Sequence, residues 1–131
     1  MKKLKTIRKK IIVDTLTPVS IYLKLRDQFT NTILLESSDY IAKDNSYAYI
    51  CCNPIAKFYV KKNILFKEFP DNSKKEIKLT YTTNILSELD DFMRTFEIDD
   101  NSVESKKYIS KGLFGYMSYD SIKFFENIEV E

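Results

Sequence analysis

Residues 58–69, FYVKKNILFKEF, decide the fold. Two apolar runs, 58–61 and 64–69, flank the short polar pair Lys62-Asn63, a pattern that predicts a β-hairpin. The charged stretch 71–75 that follows is predicted to be a surface turn leading into a further strand at 76–81. A locally paired hairpin of this kind indicates an antiparallel sheet.

Two more strands are predicted upstream of the hairpin. Residues 32–35 are β-branched and apolar, and residues 47–52 form a second hydrophobic run that stops at Asn53-Pro54. Before them, Thr17 is a plausible N-cap with Pro18 at the first helical position. A helix over 18–29 follows, because apolar side chains recur at helical spacing. They are Pro18, Tyr22, Leu25 and Phe29.

A second helix is predicted to begin at Thr83 or Asn84. Its apolar face comprises Ile85, Leu89, Phe92 and Phe96, and its polar face comprises Glu88, Asp91 and Arg94. Two helices among short strands with a local hairpin predict an α+β domain, in which two principal helices cover a mainly antiparallel β-sheet. A doubly wound parallel sheet is the alternative, but no strand is followed by a glycine-rich turn and a helix.

The size and charge of the chain restrict its class. With 131 residues and 44% hydrophobic content, one domain over residues 1–131 is expected. The net charge of +2 lacks the strong positive field of a nucleic-acid-binding protein. Six basic residues within the first ten are predicted to form a solvated terminal strand, with a phosphate or partner patch as the alternative. No apolar run approaches membrane-spanning length, so a soluble cytoplasmic protein is expected.

Several kinds of reactive site are excluded by composition. The chain has no histidine, which removes Ser-His and Cys-His nucleophile pairs and imidazole metal ligands. Cys51 and Cys52 are adjacent, so on a strand they point to opposite faces and could form a disulfide only with severe backbone strain. Both are predicted to be small buried hydrophobes. The acidic pairs at 90–91 and 99–100 are predicted to be solvated, the second within a polar loop. No catalytic or metal-binding residues are assigned.

The only two glycines of the chain are Gly112 and Gly115. Glycine is favoured where φ is positive or where another backbone approaches closely. Their concentration predicts a structurally demanding segment, either a strand with two tight packing points or a ligand loop. No phosphate-binding glycine pattern is present.

Four motifs occur in a specific order along residues 14–125. They are Thr17-Pro18-Val19, Leu34-Leu35-Glu36-Ser37, Asn53-Pro54 and the run from Gly112 to Asp120. In this order and at these separations they resemble the N-terminal domain of anthranilate synthase component I, a chorismate-utilising enzyme.

The resemblance implies a feedback-inhibition site for tryptophan at the motif that ends in Glu36 and Ser37. Ser38 lies beside this pair. Some family members carry a basic partner downstream that is absent at the matching position here. Either Lys43 substitutes for it, or Tyr47 and Tyr49 form an aromatic wall, and the sequence does not choose between the two. A carboxylate for the ammonium group and hydroxyl or amide donors for the carboxylate suit a free amino acid.

For the complete protein, the resemblance implies a lyase that converts chorismate and ammonia to anthranilate and pyruvate. Its implied partners are a C-terminal catalytic domain and a glutamine amidotransferase subunit, component II. Magnesium is implied as the cofactor of the full-length enzyme, with none in this part. Two alternatives stay open: the large subunit of aminodeoxychorismate synthase, and a stand-alone amino-acid-sensing or interaction module without catalysis.

Overall fold

The computed structural model describes residues 1–36, 47–99 and 112–124. These ranges hold two α-helices, a short 3₁₀ helix and strands in mostly antiparallel pairs, which confirms the predicted α+β class. The strands are β1 (Lys2–Lys5), β2 (Ile33–Glu36), β3 (Ala48–Cys51), β4 (Lys57–Lys61), β5 (Ile64–Glu68), β6 (Lys74–Lys78) and β7 (Phe96–Asp99). The helices are α1 (Pro18–Arg26), α2 (Ile85–Arg94) and the 3₁₀ helix Tyr119–Phe124.

The described strands form three small sheets rather than one. β2 pairs with β3 and β4–β5–β6 form a meander, all antiparallel, while β1 pairs with β7 in parallel. Antiparallel neighbours need only a short connection, so local patterns predict them, whereas a parallel pair requires a long crossover. The chain divides into two compact units, residues 9–55 and residues 1–8 with 56–131. One domain over residues 1–131 stays a prediction.

The unit of residues 9–55 contains α1 packed against β2 and β3. Thr17 caps α1 through its side-chain oxygen, which accepts from the Ser20 amide at 3.1 Å, while the Ser20 hydroxyl oxygen accepts from the Thr17 amide at 3.0 Å. The helix ends at Arg26, three residues earlier than predicted, because the capping residue Asp27 donates its amide to the Leu25 carbonyl. The cap and Pro18 therefore set the start of α1 as the sequence predicts.

The predicted hairpin is confirmed in the second unit. β4 and β5 pair in register around Lys62-Asn63, and both turn residues have positive φ, 49° and 61°. Two left-handed residues match a hairpin turn to the right-handed twist of its strands. β6 begins at Lys74, two residues before the predicted strand, because Asp71 closes the preceding turn by accepting from the Ser73 amide and hydroxyl at 3.1 and 2.6 Å.

Helix α2 covers the meander and closes the core of this unit. Asn84 caps it by accepting from the Ser87 amide at 3.1 Å. Leu65, Leu79 and Ile85 form the buried cluster. Phe92, which also belongs to α2, is 1% exposed. Two predictions for this helix were wrong: Phe96 lies in β7 beyond its end, and Glu88 is half-buried because it pairs with a buried lysine of β5.

The parallel pair β1–β7 completes the unit. Lys2 donates its backbone amide to the Thr95 carbonyl at 2.7 Å, and its ammonium group pairs with Asp71 and lies 5.2 Å from the centroid of the Phe69 ring. Lys2–Lys5 alternates between half-buried and exposed side chains, as expected for a terminal strand at a solvated edge. Asp99 ends β7 and so is not part of the predicted polar loop.

The glycine segment is not a strand with tight packing points, which was one of its two predicted forms, and the ligand loop stays a prediction. Gly112 has φ of 149°, a conformation that favours glycine, but residues 112–118 form no regular element. A Cβ placed on Gly112 or Gly115 meets no atom of residues 1–36, 47–99 or 112–124 within 4 Å, so neither is a tight packing point against this part of the chain. Large apolar side chains are exposed along this segment, among them Tyr116 and Met117. In the described part of the chain, neither α-helix has the length and apolar character that a membrane span requires.

Candidate functional site

The predicted ligand site lies at one end of the β2–β3 pair. Glu36 is the last residue of β2, and Tyr47 directly precedes β3. Ser37, Ser38 and Lys43 lie outside the described residues, and the same holds for the rest of the connecting segment 37–46. Of the predicted contact residues, the structure therefore positions only Glu36, at the end of β2, and Tyr47, just before β3.

Strand register brings these two positions together. Glu36 is the Cα partner of Ala48, the residue after Tyr47, and the pairing continues inward from Leu35 with Tyr49. Directly opposed residues of an antiparallel pair have Cα atoms about 4.5–5.5 Å apart. The backbones of Glu36 and Tyr47 therefore lie close together at this end of the pair. Glu36 shares a face with Ala48, and Tyr47 is one residue out of phase with that face.

Burial and charge distinguish this strand end from the rest of the pair. Glu36 and Ala48 are exposed, whereas the other six strand residues are half-buried. The Glu36 side chain has no ion pair or hydrogen bond with any residue of the described ranges. An exposed carboxylate can accept hydrogen bonds from a ligand ammonium group, and the half-buried Tyr47 adds an aromatic side chain at the same strand end.

The two cysteines lie at the opposite end of β3. Cys51 and Cys52 are free thiols and both are half-buried, rather than fully buried as predicted. Partial burial, and secondarily the neighbouring Cys52, raise the pKa of the Cys51 thiol above its ordinary value. A raised pKa keeps the thiol protonated near neutral pH, which favours the predicted hydrophobic role over a nucleophilic one.

Sequence reasoning missed one charged group of the other unit. Lys67, on β5, is 4% exposed and pairs with Glu88 of α2. The alternation of side chains along a strand could have indicated this burial, because Lys67 shares a face of β5 with the fully buried Leu65. Among the described residues, no three Asp, Glu, Cys or His side chains group closely enough to hold a metal ion. No residue of these ranges is therefore assigned to magnesium.

The described residues thus have an α+β fold in which one end of the β2–β3 pair carries an exposed carboxylate, Glu36, next to an aromatic residue, Tyr47. Over 119 residues the chain is 31% identical to anthranilate synthase component 1 of Aquifex aeolicus (strain VF5), a match that includes 91% of this chain. The resemblance to anthranilate synthase component 1 that the motifs indicate is therefore confirmed. The chain spans about a quarter of this relative, 23% of its length. No protein-family model and no solved structure matches.

Proposed function

We propose that the chain is the N-terminal, regulatory part of an anthranilate synthase component 1. The complete enzyme then converts chorismate and ammonia to anthranilate and pyruvate in tryptophan biosynthesis. The observation that carries the proposal is the 31% identity over 91% of the chain, together with the order of its four motifs. A cytoplasmic location accords with this pathway role.

The proposal places L-tryptophan at the β2–β3 strand end. Glu36 accepts hydrogen bonds from the ligand ammonium group, and Tyr47 packs against the indole ring. Ser37, Ser38 and Lys43 supply donors for the ligand carboxylate from the connecting segment. The exposed Glu36 carboxylate and its closeness in register to Tyr47 support this arrangement.

Feedback inhibition follows if tryptophan contacts both this strand end and a catalytic domain. A ligand shifts a conformational equilibrium only by its difference in affinity for the two states. Tryptophan would therefore favour the domain arrangement with poor catalytic geometry. The same proposal includes a glutamine amidotransferase subunit as the source of ammonia and magnesium as the cofactor of the complete enzyme.

The reaction is tested with the complete natural polypeptide that carries these residues. Incubation with chorismate, ammonia and magnesium is expected to yield anthranilate, detected by its fluorescence, and pyruvate. Accumulation of aminodeoxychorismate instead would assign the chain to the folate branch. Absence of any chorismate turnover, with a folded protein and its amidotransferase subunit present, would favour a stand-alone sensing module.

The inhibitor site is tested separately in that polypeptide. We expect Glu36→Gln and Ser37→Phe to raise the tryptophan concentration for half-inhibition by about tenfold or more, a loss of about 1.4 kcal/mol, with unchanged kcat. Glu97→Gln is the matched control, since this exposed residue of β7 belongs to the other unit. Unaltered inhibition in both site variants would show that the tryptophan site lies elsewhere.

A further inference from the structure

The outer face of the β4–β5–β6 meander carries an ordered pattern of charge. The strand register places alternate residues of the three strands in three rows of three, with Phe66 at the centre. Each corner of this array is a lysine. The four are Lys57, Lys61, Lys74 and Lys78.

Apolar side chains occupy the middle of the array. Phe66 stacks on its cross-strand partner Tyr59, with ring centroids 5.0 Å apart and an interplanar angle of 12°. Ile64 lies two residues before Phe66 on the same face of β5. Ile64 and Phe66 are half-buried, and Tyr59 is exposed. The centre of the face therefore offers hydrophobic contact area to a partner.

One end of the array is partly neutralised by a glutamate. Glu68 accepts from Lys74 at 3.0 Å and lies 3.5 Å from Lys57, so both lysines of this row share one carboxylate. These contacts lower the pKa of Glu68, with the hydrogen bond from Lys74 as the largest cause. Both ammonium groups of this row are therefore already paired with Glu68, and the row keeps a net charge of +1.

The other end carries lysines that have no ion-pair partner among the described residues. Lys61 and Lys78 flank Ile64, and Lys62 follows in the turn. Within residues 1–36, 47–99 and 112–124, none of these three lysines forms an ion pair or a side-chain hydrogen bond. An open hollow of about 470 Å³ lies beside them, lined by Lys62, Asn63, Ile64, Glu76 and Lys78. A ligand here meets two or three free ammonium groups around an aliphatic side chain.

We propose that this face docks an acidic protein segment that carries an apolar side chain between two carboxylates. The apolar side chain packs on Ile64 and Phe66, while the carboxylates pair with Lys61 and Lys78. A protein segment is favoured over single-stranded nucleic acid because the Tyr59 and Phe66 rings stack on each other rather than standing open for bases. This interaction is independent of the proposed function.

The test uses a short synthetic probe of matching chemistry. Acetyl-Glu-Ser-Leu-Ser-Glu-amide places two carboxylates and one leucine on the same side of an extended peptide. Titration into the isotope-labelled chain, followed by amide chemical shifts, is expected to perturb Ile64, Phe66 and Lys78. Replacing both glutamates of the probe by glutamine, or its leucine by serine, is expected to weaken binding by about tenfold.

Two variants identify the surface. The double substitution Lys61→Glu with Lys78→Glu is expected to abolish the shifts, whereas Lys24→Glu on α1 keeps them, since Lys24 is exposed in the other unit. Amide dispersion and circular dichroism establish that both variants are folded. Absence of shifts at saturating probe, equal shifts with the glutamine probe, or equal binding of oligothymidylate would each overturn the proposal.

Discussion

Nζ of Lys67 lies 2.6 Å from Oε2 of Glu88 and 2.7 Å from the main-chain oxygen of the same residue. The lysine side chain is 5% exposed and the glutamate side chain 27%. The ammonium group also lies 5.8 Å from the centroid of the Phe58 ring. One buried charge thus joins the central strand of the meander to the helix that covers it.

Removing the carboxylate of this pair is expected to cost more than removing the ammonium group. Glu88→Ala leaves a buried cation without its counter-ion, and we expect the free energy of unfolding to fall by about 3 kcal/mol. Lys67→Met leaves the Glu88 carboxylate without its partner, but this side chain is 27% exposed and can be hydrated, so we expect a smaller loss of about 1–2 kcal/mol. Urea denaturation at neutral pH measures both. Glu97→Ala is the control, and the reverse order of the two effects would contradict the prediction.

Phe92 is expected to be the most sensitive core position of its unit. Its ring centroid lies 5.6 Å from that of Phe58, 5.4 Å from that of Phe69 and 5.2 Å from that of Phe96. Phe92→Ala opens a cavity among these rings, and we expect a loss of about 3–5 kcal/mol in thermal or urea unfolding. Tyr81→Ala, at a fully exposed residue, is expected to change stability by less than about 0.5 kcal/mol. Similar losses for both variants would contradict this packing.

Asn63 is expected to stabilise the hairpin in two separable ways. Its φ of 61° favours asparagine or glycine, and its Nδ2 donates to the Leu79 carbonyl at 3.0 Å. Asn63→Gly keeps the backbone conformation and loses the hydrogen bond, at an expected cost of about 1 kcal/mol. Asn63→Ala adds backbone strain of about 1–2 kcal/mol. Equal unfolding midpoints for the glycine and alanine variants would show that the turn relaxes without strain.

The ion pair at the chain's first strand is expected to respond to acid. Hydrogen bonds from Lys2 and then Ser73 hold the pKa of Asp71 well below its usual range. A carboxyl group with a lowered folded pKa stabilises the fold above its unfolded pKa, and this contribution is lost as the pH falls through the folded value. Lys2→Met is expected to move the Asp71 pKa up toward the usual range. Carbon-13 titration of the side-chain carboxyl group follows this shift.

A matched variant separates the effects of Lys2 and Ser73 on the Asp71 pKa. Ser73→Ala removes only the hydroxyl donor, so we expect a smaller rise in the Asp71 pKa than in Lys2→Met. The backbone amide of residue 73 still donates to Asp71 in this variant. An Asp71 pKa that is the same in all three proteins would mean that neither contact persists in solution.

Capping residues and turn residues in the sequence correctly predicted where the helices begin and where the hairpin turns, because these features depend on neighbouring residues in the chain. Thr17 with Pro18 fixed the start of α1, Asn84 fixed the start of α2, and Lys62-Asn63 fixed the hairpin register. The features that were missed depend on long-range contacts. Glu88 carries a charge, so helical periodicity assigned it to solvent, although a partner on β5 makes it half-buried.

The candidate site was predictable only in part. A strand ending near Glu36 and another beginning near Tyr47 follow from hydrophobic runs, and their register explains why the two are neighbours. The choice of ligand came from motif order rather than from geometry, since an exposed carboxylate suits any small cation. Ser37, Ser38 and Lys43 lie outside the described residues, so their roles stay predictions.

The β1–β7 pair joins the second residue of the chain to the ninety-sixth. During synthesis, β1 leaves the ribosome before the rest of its unit yet has no strand to pair with until β7 has emerged. The meander and α2, which lie between them in sequence, can fold earlier because their contacts are local. β1 is therefore made before the other elements of its unit but is among the last of them to be fixed in place.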